Sequence, residues 1–248
     1  MRRSLAFLMT VTLAQADEGP SVRLGREVYI AEGCINCHSQ YVRPVPGDIG
    51  RWGPAREPAL ALTGTPPLIG NRRQGPDLQN IAARRPRPWN RLHLLAPGDI
   101  TPGSRMPSYR HLFTPGDGRG EALLDYLDSL GDDVRGERWQ AAQEWRPAED
   151  TPVMAHGETA RRFVQWCAPC HGPGGRGDGP LAPKLAVPPR DLTQGPWKFV
   201  FARQPEAERL ALARIIKFGV PGTMMVGREY LPDGEVLALA EWVRDLRR

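Results

Sequence analysis

Two copies of the pattern Cys-X-X-Cys-His constrain this chain of 248 residues more than any other feature. The first is Cys34-Ile35-Asn36-Cys37-His38, and the second is Cys167-Ala168-Pro169-Cys170-His171. Together they use all four cysteines of the chain and two of its five histidines. A histidine directly after the second cysteine is the spacing of covalent c-type haem attachment, in which both thiols form thioethers and the histidine binds iron.

Two other chemistries use closely spaced cysteines. A redox-active Cys-X-X-Cys pair does not require the histidine, and a zinc site takes four ligands without needing a histidine directly after the second cysteine. The repeat, with no cysteine left over, favours haem over both alternatives and over chance. We therefore predict a dihaem c-type cytochrome with two covalently bound haem c groups, attached at Cys34, Cys37, Cys167 and Cys170.

The amino terminus has the pattern of a secretory signal. Met1-Arg2-Arg3 precedes an apolar run from Leu5 to Leu13, which ends at Ala14-Gln15-Ala16. This order predicts a signal peptide at residues 1–16. The alternative is an uncleaved anchor, but a spanning helix needs about 20 apolar residues and this run has about half of them. Haem c is attached outside the cytoplasmic membrane, so we expect a periplasmic protein, soluble or peripherally associated with the membrane.

The charge of the chain is modest. It has 33 Lys and Arg against 28 Asp and Glu, a formal net charge of +5 at pH 7. Both halves carry a similarly small positive excess, which is no electrostatic footprint for nucleic acid, and we expect no nucleic-acid partner. No catalytic dyad, phosphate-binding loop or nucleophile motif stands out. We therefore predict an electron carrier or electron-transfer subunit rather than an enzyme.

The same order of features occurs in both halves of the chain. A helical pattern, the haem pentad, a Gly/Pro-rich stretch, a methionine loop and an amphipathic helix follow one another. Apolar residues at helical spacing predict helices at residues 22–32 and 121–130 in the first half. The second half has the corresponding patterns at residues 157–166 and from about residue 233. The expected fold class is all-α, with two tandem class I cytochrome c domains.

The repeat predicts domains at residues 17–136 and 153–248, joined by a linker at residues 137–152. Such a charged stretch bounded by prolines is usually a solvated connection. Trp139 and Trp145 leave open the alternative that it packs on one domain as a short helix.

A methionine thioether is a common sixth ligand of haem iron opposite histidine, and it raises the reduction potential. Met106 lies in a loop rich in proline and glycine, just before the closing helix of the first half. We predict that it is the axial ligand opposite His38. In the second half Met224 and Met225 compete, because only one can bind the iron opposite His171.

The run Gly222-Thr223-Met224-Met225 resembles the Gly-Thr-X-Met of class I cytochromes, which favours Met225 over Met224. A bis-histidine haem of low potential, using His93, His111 or His156, is the alternative at either site. Because thioethers consume all four cysteines, no thiolate remains to bind iron.

Gly75-Pro76-Asp77-Leu78 resembles the Gly-Pro-X-Leu of class I cytochromes. The resemblance implies that the Pro76 carbonyl accepts a hydrogen bond from Nδ1 of His38, which orients the ring and raises its basicity. The competing interpretation is an ordinary turn. In the second half, Pro188 and Pro189 both lie in the corresponding stretch, and the sequence does not choose between them.

Residues 25–109 resemble the haem domain of subunit II of cbb3-type cytochrome c oxidases, whereas residues 157–248 resemble only a generic class I cytochrome c domain. The matching stretches are Gly25-Arg26-Glu27-Val28-Tyr29-Ile30-Ala31-Glu32-Gly33, the first pentad with Ser39-Gln40, Val42-Arg43-Pro44, Arg51-Trp52-Gly53, Arg73-Gln74-Gly75-Pro76-Asp77-Leu78, His93-Leu94 and Pro102-Gly103-Ser104-Arg105-Met106-Pro107-Ser108-Tyr109. The resemblance implies His38 and Met106 as axial ligands and a role in respiratory electron transfer.

This chain departs from that subunit in two ways. The subunit has an N-terminal membrane anchor, whereas this chain has the short signal described above. The subunit carries one haem domain, whereas we expect two here. We therefore expect electron transfer in a respiratory chain between a membrane complex, an oxidase or a nitrogen-oxide reductase, and a redox partner that can be a soluble protein. The alternative is a dihaem cytochrome peroxidase-type enzyme, and a haem-based sensor or storage protein is a third class. Candidate propionate-binding residues are Arg43, Arg51, Trp52, Arg73, Trp197 and Lys198.

Overall fold

The computed structural model describes residues 19–56, 68–70, 72–200 and 204–247, so the expected signal peptide lies outside the described residues. Within these ranges the chain forms eleven α-helices and no strand beyond one bridge between Gly219 and Val226, which confirms the predicted all-α class. The helices are α1 Pro20–Ala31, α2 Pro46–Trp52, α3 Ile81–Arg84, α4 Arg87–Leu95, α5 Pro97–Ile100, α6 Arg119–Ser129, α7 Arg135–Glu144, α8 His156–Trp166, α9 Ala168–His171, α10 Pro205–Phe218 and α11 Asp233–Asp245. Short 3-10 turns cover Cys34–Asn36, Arg110–Phe113, Asp132–Val134 and Ala182–Lys184.

The core of the first domain is the crossing of α1 and α6. The two backbones approach so closely at Gly25 that a Cβ there would overlap the carbonyl oxygen of Ala122. Tyr29 and Tyr126 pack edge to face beside the crossing, with ring centroids 5.7 Å apart. The crossing therefore requires glycine at position 25, because only glycine lets two helices meet with their backbones in contact.

The second domain packs α11 against α8 and α10. Residues Val236, Leu239, Ala240 and Val243 of α11 are buried, as the apolar stripe of the sequence predicts. Phe163 of α8 is fully buried within the same core. The helices observed in both domains agree with the four predicted segments to within a few residues at the starts.

The stretch between the domains contains a helix. Within α7 Ala142 is buried, and Trp145, which follows the helix, packs edge to face on Phe218 at a centroid distance of 6.0 Å. Trp139 is 54% exposed on the same helix. The connection thus packs on the second domain through one of its two tryptophans and leaves the other facing solvent.

The two domains meet at a buried cluster of charges. The side chain of Glu229, from the second domain, is fully buried and lies 3.2 Å from Nη2 of Arg85, from the first domain. Arg138 of α7 pairs with the same carboxylate. Burial alone would raise the pKa of Glu229, but Arg85, Arg138 and Arg84 outweigh it and lower the pKa to about 2. The carboxylate is therefore ionised, and it fixes both domains and α7 at one point.

Among the described residues, no helix combines the length and the apolar character that crossing a membrane would require.

Candidate haem sites

Each Cys-X-X-Cys-His pentad forms one compact turn directly after a helix. In the first domain Gly33, with φ of 71°, turns the chain out of α1, and the His38 amide then donates to the Cys34 carbonyl at 2.9 Å. In the second domain the His171 amide donates to the Cys167 carbonyl at 2.9 Å. Positive φ is readily adopted by glycine alone. The same turn places both thiols and the imidazole of each pentad close together.

None of the four cysteines is joined to another by a disulfide. Burial raises the pKa of Cys34 and of Cys167 to about 11. A redox-active Cys-X-X-Cys pair instead contains a cysteine whose pKa is lowered. The raised pKa values of Cys34 and Cys167 do not match that pattern.

The imidazole of His38 is held by the backbone of the Gly75-Pro76 stretch. Its Nδ1 lies 2.7 Å from the Pro76 carbonyl oxygen, and a Cβ on Gly75 would overlap the ring and lie 2.7 Å from Nδ1. Burial lowers the pKa of His38, so the ring is the neutral form that binds metal ions. With Nδ1 donating to a carbonyl, Nε2 is the nitrogen left to face iron.

His171 has the equivalent contact, but its partner is not a proline. Its Nδ1 lies 3.0 Å from the carbonyl oxygen of Arg190, the residue after Pro188 and Pro189. Any residue can present a backbone carbonyl, so the type of side chain at this position carries no information about the contact. For that reason the sequence could not select the residue.

An aspartate turn marks the correspondence between the two stretches. Asp77 accepts the amide of Gln79 at 2.9 Å, and Asp191 accepts the amide of Thr193 at 2.8 Å. Because these aspartates occupy equivalent places, Arg190 stands where the first domain has its proline. The Asp-Leu pair shared by both stretches was the sequence signal that could have located it.

The two methionine loops share a hydroxyl anchor. The Met106 amide donates to Ser104 Oγ at 3.2 Å, and the Met225 amide donates to Thr223 Oγ1 at 3.1 Å. Thr223 Oγ1 in turn donates to the Val220 carbonyl at 2.8 Å. Met225, and not Met224, therefore holds the position equivalent to Met106.

The second domain contains a cavity of about 360 Å³. Cys167, Cys170, His171, Met224 and Met225 all line it, together with a largely apolar set of side chains. Trp197 also lines it, is buried, and has an indole N–H without a hydrogen-bond partner among the described residues. Thiols, imidazole, thioether and a buried donor suited to a carboxylate fit a covalently bound haem.

In the first domain the predicted residues lie in and beside one core. Cys34 belongs to the buried cluster that also contains Leu94 and Tyr109, and Met106 packs against that cluster. The Nδ1 atom of His93 is buried without a partner among the described residues. These residues fit a second covalent haem held by the same types of groups.

Two of the proposed propionate-binding arginines have other partners. Arg43 forms a two-pronged ion pair with Asp48, at 2.7 and 2.8 Å, and holds the pKa of that carboxyl well below its usual range. Arg73 also pairs with Asp48 and donates to the Tyr41 carbonyl. Both arginines fold the loop after the first pentad, and Trp197 and Lys198 are the candidates that line the cavity of the second domain.

The three remaining histidines differ in their surroundings. His111 is exposed, with Nε2 3.0 Å from a Glu32 carboxylate oxygen, and His156 packs beside Trp242 at a centroid distance of 4.7 Å. Burial, with a smaller contribution from the neighbouring His38 imidazole, lowers the pKa of His93 to about 4. Of the three, His93 alone lies beside a predicted axial ligand.

Fold and sites together define a c-type cytochrome with two domains. Residues 20–120 match the family described as "Cytochrome C oxidase, mono-heme subunit/FixO", and residues 155–243 match "Cytochrome C oxidase, cbb3-type, subunit III". The chain consists of two tandem cytochrome c domains, the first of the oxidase subunit II type, as the sequence predicts. The second domain, described from sequence as generic, matches a family of the same oxidase. Such domains carry covalent haem c and transfer electrons.

Comparison with curated protein sequences finds no match. A chain of the reducing HAO-like protein complex of Kuenenia stuttgartiensis is similar over 91% of this chain and 96% of its own length, at 18% identity. The TM-score is 0.34, so we draw nothing from the likeness.

Proposed function

We propose that this protein is a dihaem c-type cytochrome that transfers electrons in a respiratory chain between a membrane complex and a redox partner. Cys34 and Cys37 would hold one haem, and Cys167 and Cys170 the other. One observation carries the proposal: both domains combine a Cys-X-X-Cys-His turn, a carbonyl bonded to the proximal imidazole and a hydroxyl-anchored methionine loop.

The proposed axial pairs are His38 with Met106 and His171 with Met225. Haem supplies a one-electron couple, and thioether ligation places it at the higher end of the potential range of cytochromes. The chain contributes orientation: Pro76 holds the first imidazole in one tautomer through its carbonyl oxygen. It also limits the access of water, because Cys34 is buried and the other thiols and both imidazoles are partly buried.

We place the protein outside the cytoplasmic membrane, in the periplasm, soluble or peripherally associated with the membrane after removal of the signal peptide. The similarity of both domains to subunits of a cbb3-type oxidase supports a membrane respiratory complex as one partner. An oxidase and a nitrogen-oxide reductase are the two complexes that this chemistry suits. A soluble redox protein would be the other partner.

The dihaem peroxidase-type alternative needs an iron that can open a coordination position for peroxide. Both methionine loops are anchored by hydrogen bonds to their own backbone amides, which favours permanent occupation of the sixth position. This feature supports an electron carrier over the enzyme.

The first experiment counts and characterises the haems of the full chain, expressed in a host that attaches haem c. We expect a pyridine haemochrome assay to give two haems per chain. Removing one pentad, in Cys34→Ser/Cys37→Ser or in Cys167→Ser/Cys170→Ser, should leave one. Both haems should be low-spin and unreactive towards carbon monoxide and hydrogen peroxide. One haem in the unmodified chain would contradict the dihaem proposal, and rapid reaction with peroxide would favour the enzyme.

The second experiment tests the partner. The chemically reduced, full-length protein is mixed with a solubilised cbb3-type oxidase or nitric oxide reductase during turnover, and its haem absorbance is followed. We expect one of the two complexes to oxidise the reduced protein, with each molecule of the complex oxidising many molecules of the protein. Failure with both would contradict the membrane partner while leaving the haem count intact.

A further inference from the structure

The cavity of the second haem site is not built by the second domain alone. Trp89 and Leu92 of α4 and Ile100 of α5, all from the first domain, line it beside the second pentad. Ile100 is buried and Trp89 is half-buried. A wall of the second site therefore comes from the other domain.

The same helix reaches the first site. Trp89 stacks on His93 one helical turn away, with ring centroids 4.6 Å apart and planes within 11° of parallel. Leu94, the residue after His93, lies in the core cluster that contains Cys34. α4 thus borders the core that holds the first pentad, and its Trp89 lines the second site.

The buried charge cluster holds this arrangement in place. Arg85 lies between α3 and α4, binds Glu229 and donates to the Gly227 carbonyl at 2.9 Å. Its guanidinium also lies over the Trp89 ring, 5.2 Å from the centroid. Breaking the Arg85–Glu229 pair would leave a buried charge unpaired, so the interface resists separation. At the edge of the interface, Lys184 pairs with Asp99 at 3.0 Å.

We propose that the first domain completes the second haem site and that the stacked pair Trp89–His93 is the direct contact through which electrons pass between the two sites. This rests on the proposed dihaem function. In the step, one electron leaves a ferrous iron at one site, which becomes ferric, and reduces the ferric iron at the other. No bond forms or breaks and no proton moves, and an external one-electron reductant supplies the first electron.

Close packing is the reason that the Trp89–His93 pair would favour electron transfer. Electron tunnelling through closely packed atoms is faster than tunnelling through a void, and the stacked rings of Trp89 and His93 provide such packed atoms. An apolar wall destabilises the extra positive charge of ferric haem and keeps the potential of that haem high.

The test compares Trp89→Leu with Trp89→Phe, and uses Trp139→Leu as the matched control because Trp139 is exposed on α7. Each full-length variant is oxidised and then flash-reduced with less than one equivalent of an electron donor. Rapid freeze-quench electron paramagnetic resonance follows the two ferric signals. We expect Trp89→Leu to slow redistribution between the haems several-fold, and Trp89→Phe and Trp139→Leu to remain near the unmodified rate.

A second variant, Leu92→Gln, gives a readout that does not depend on the rate. The amide would place a dipole in the wall of the second site, and should lower the potential of the haem whose iron–sulfur band is lost in Met225→Ala. Unchanged redistribution in Trp89→Leu together with an unchanged potential in Leu92→Gln, with two haems present, would overturn the proposal. Fewer than two haems in the unmodified chain would instead overturn the proposed function on which it rests.

Discussion

Thr223 Oγ1 accepts the backbone amide of Met225 at 3.1 Å, and the bond fixes the residue that we propose as the sixth ligand of the second haem. Ser104 and Met106 form the same pair in the first domain, at 3.2 Å. A hydroxyl two residues before the methionine thus anchors both loops. The neighbouring Met224 lines the same cavity, but it does not occupy the position that corresponds to Met106.

Met225→Ala should abolish the iron–sulfur charge-transfer band of one haem and lower its potential, because a thioether ligand stabilises the ferrous state. Met224→Ala is the matched control, one residue away in the same cavity, and should retain the band. Near-infrared absorbance and a redox titration measure both properties. Loss of the band in Met224→Ala with retention in Met225→Ala would reverse the assignment.

Thr223→Val should loosen the second methionine loop while preserving its shape. The buried amide of Met225 loses its acceptor, which costs about 1 kcal/mol. The charge-transfer band of the second haem should then disappear at a lower temperature than in the unmodified protein, while the other haem is unaffected. Thr114→Val is a suitable control, because Thr114 Oγ1 makes only a long contact of 3.5 Å to a carbonyl oxygen. Equal band loss in both variants would argue against the anchor.

Gly25→Ala should destabilise the first domain, because the added Cβ would overlap the Ala122 carbonyl where α1 crosses α6. Overpacking of this kind costs about 1–3 kcal/mol. Gly157→Ala in α8 is the control, since a Cβ there meets nothing within 4 Å, and alanine should stabilise that helix by about 0.5–1 kcal/mol. Urea unfolding followed by circular dichroism measures both, and equal effects would contradict the close crossing.

Glu229→Gln should destabilise the domain interface by about 3–5 kcal/mol at neutral pH, because it leaves buried arginines without their carboxylate. The folded-state pKa of about 2 lies below the ordinary value of 4.5. The stabilisation from Glu229 is therefore present above pH 4.5 and is lost as the pH falls from 4.5 towards 2.

The gap in unfolding free energy between the unmodified protein and Glu229→Gln should accordingly shrink over that pH range. The exposed Glu137→Gln on α7 is the control and should show no such gap. A gap for Glu229→Gln that is constant from pH 7 to pH 2.5 would contradict an ionised carboxylate at the interface.

Repetition in the sequence was enough to predict the helices around each pentad. Apolar residues at helical spacing located α1, α6, α8 and α11 because these helices each bury one face in their own domain. The same reasoning gave no prediction for α4, whose residues contact two domains. Its Trp89 looks like a surface residue until the second domain is placed beside it.

The charge cluster at the domain interface also could not be predicted from the sequence. Arg85 and Glu229 lie in different domains, and nothing near either residue in the chain indicates the other. Ionisable residues are usually exposed, so the sequence alone would describe both as solvated side chains. Backbone contacts are also hard to predict: the type of side chain at Arg190 does not indicate that its carbonyl holds His171, and only the Asp-Leu pair that follows marks the position.

The charge cluster at the domain interface also creates an electrostatic potential that acts on the groups around it. Arg84, Arg85 and Arg138 carry three positive charges around the single carboxylate of Glu229, in surroundings where water screens little. A surplus of buried positive charge favours the less positive of two oxidation states nearby. The contact that joins the domains would therefore make the proposed haems easier to reduce, so that the first electron to arrive would stabilise the chain.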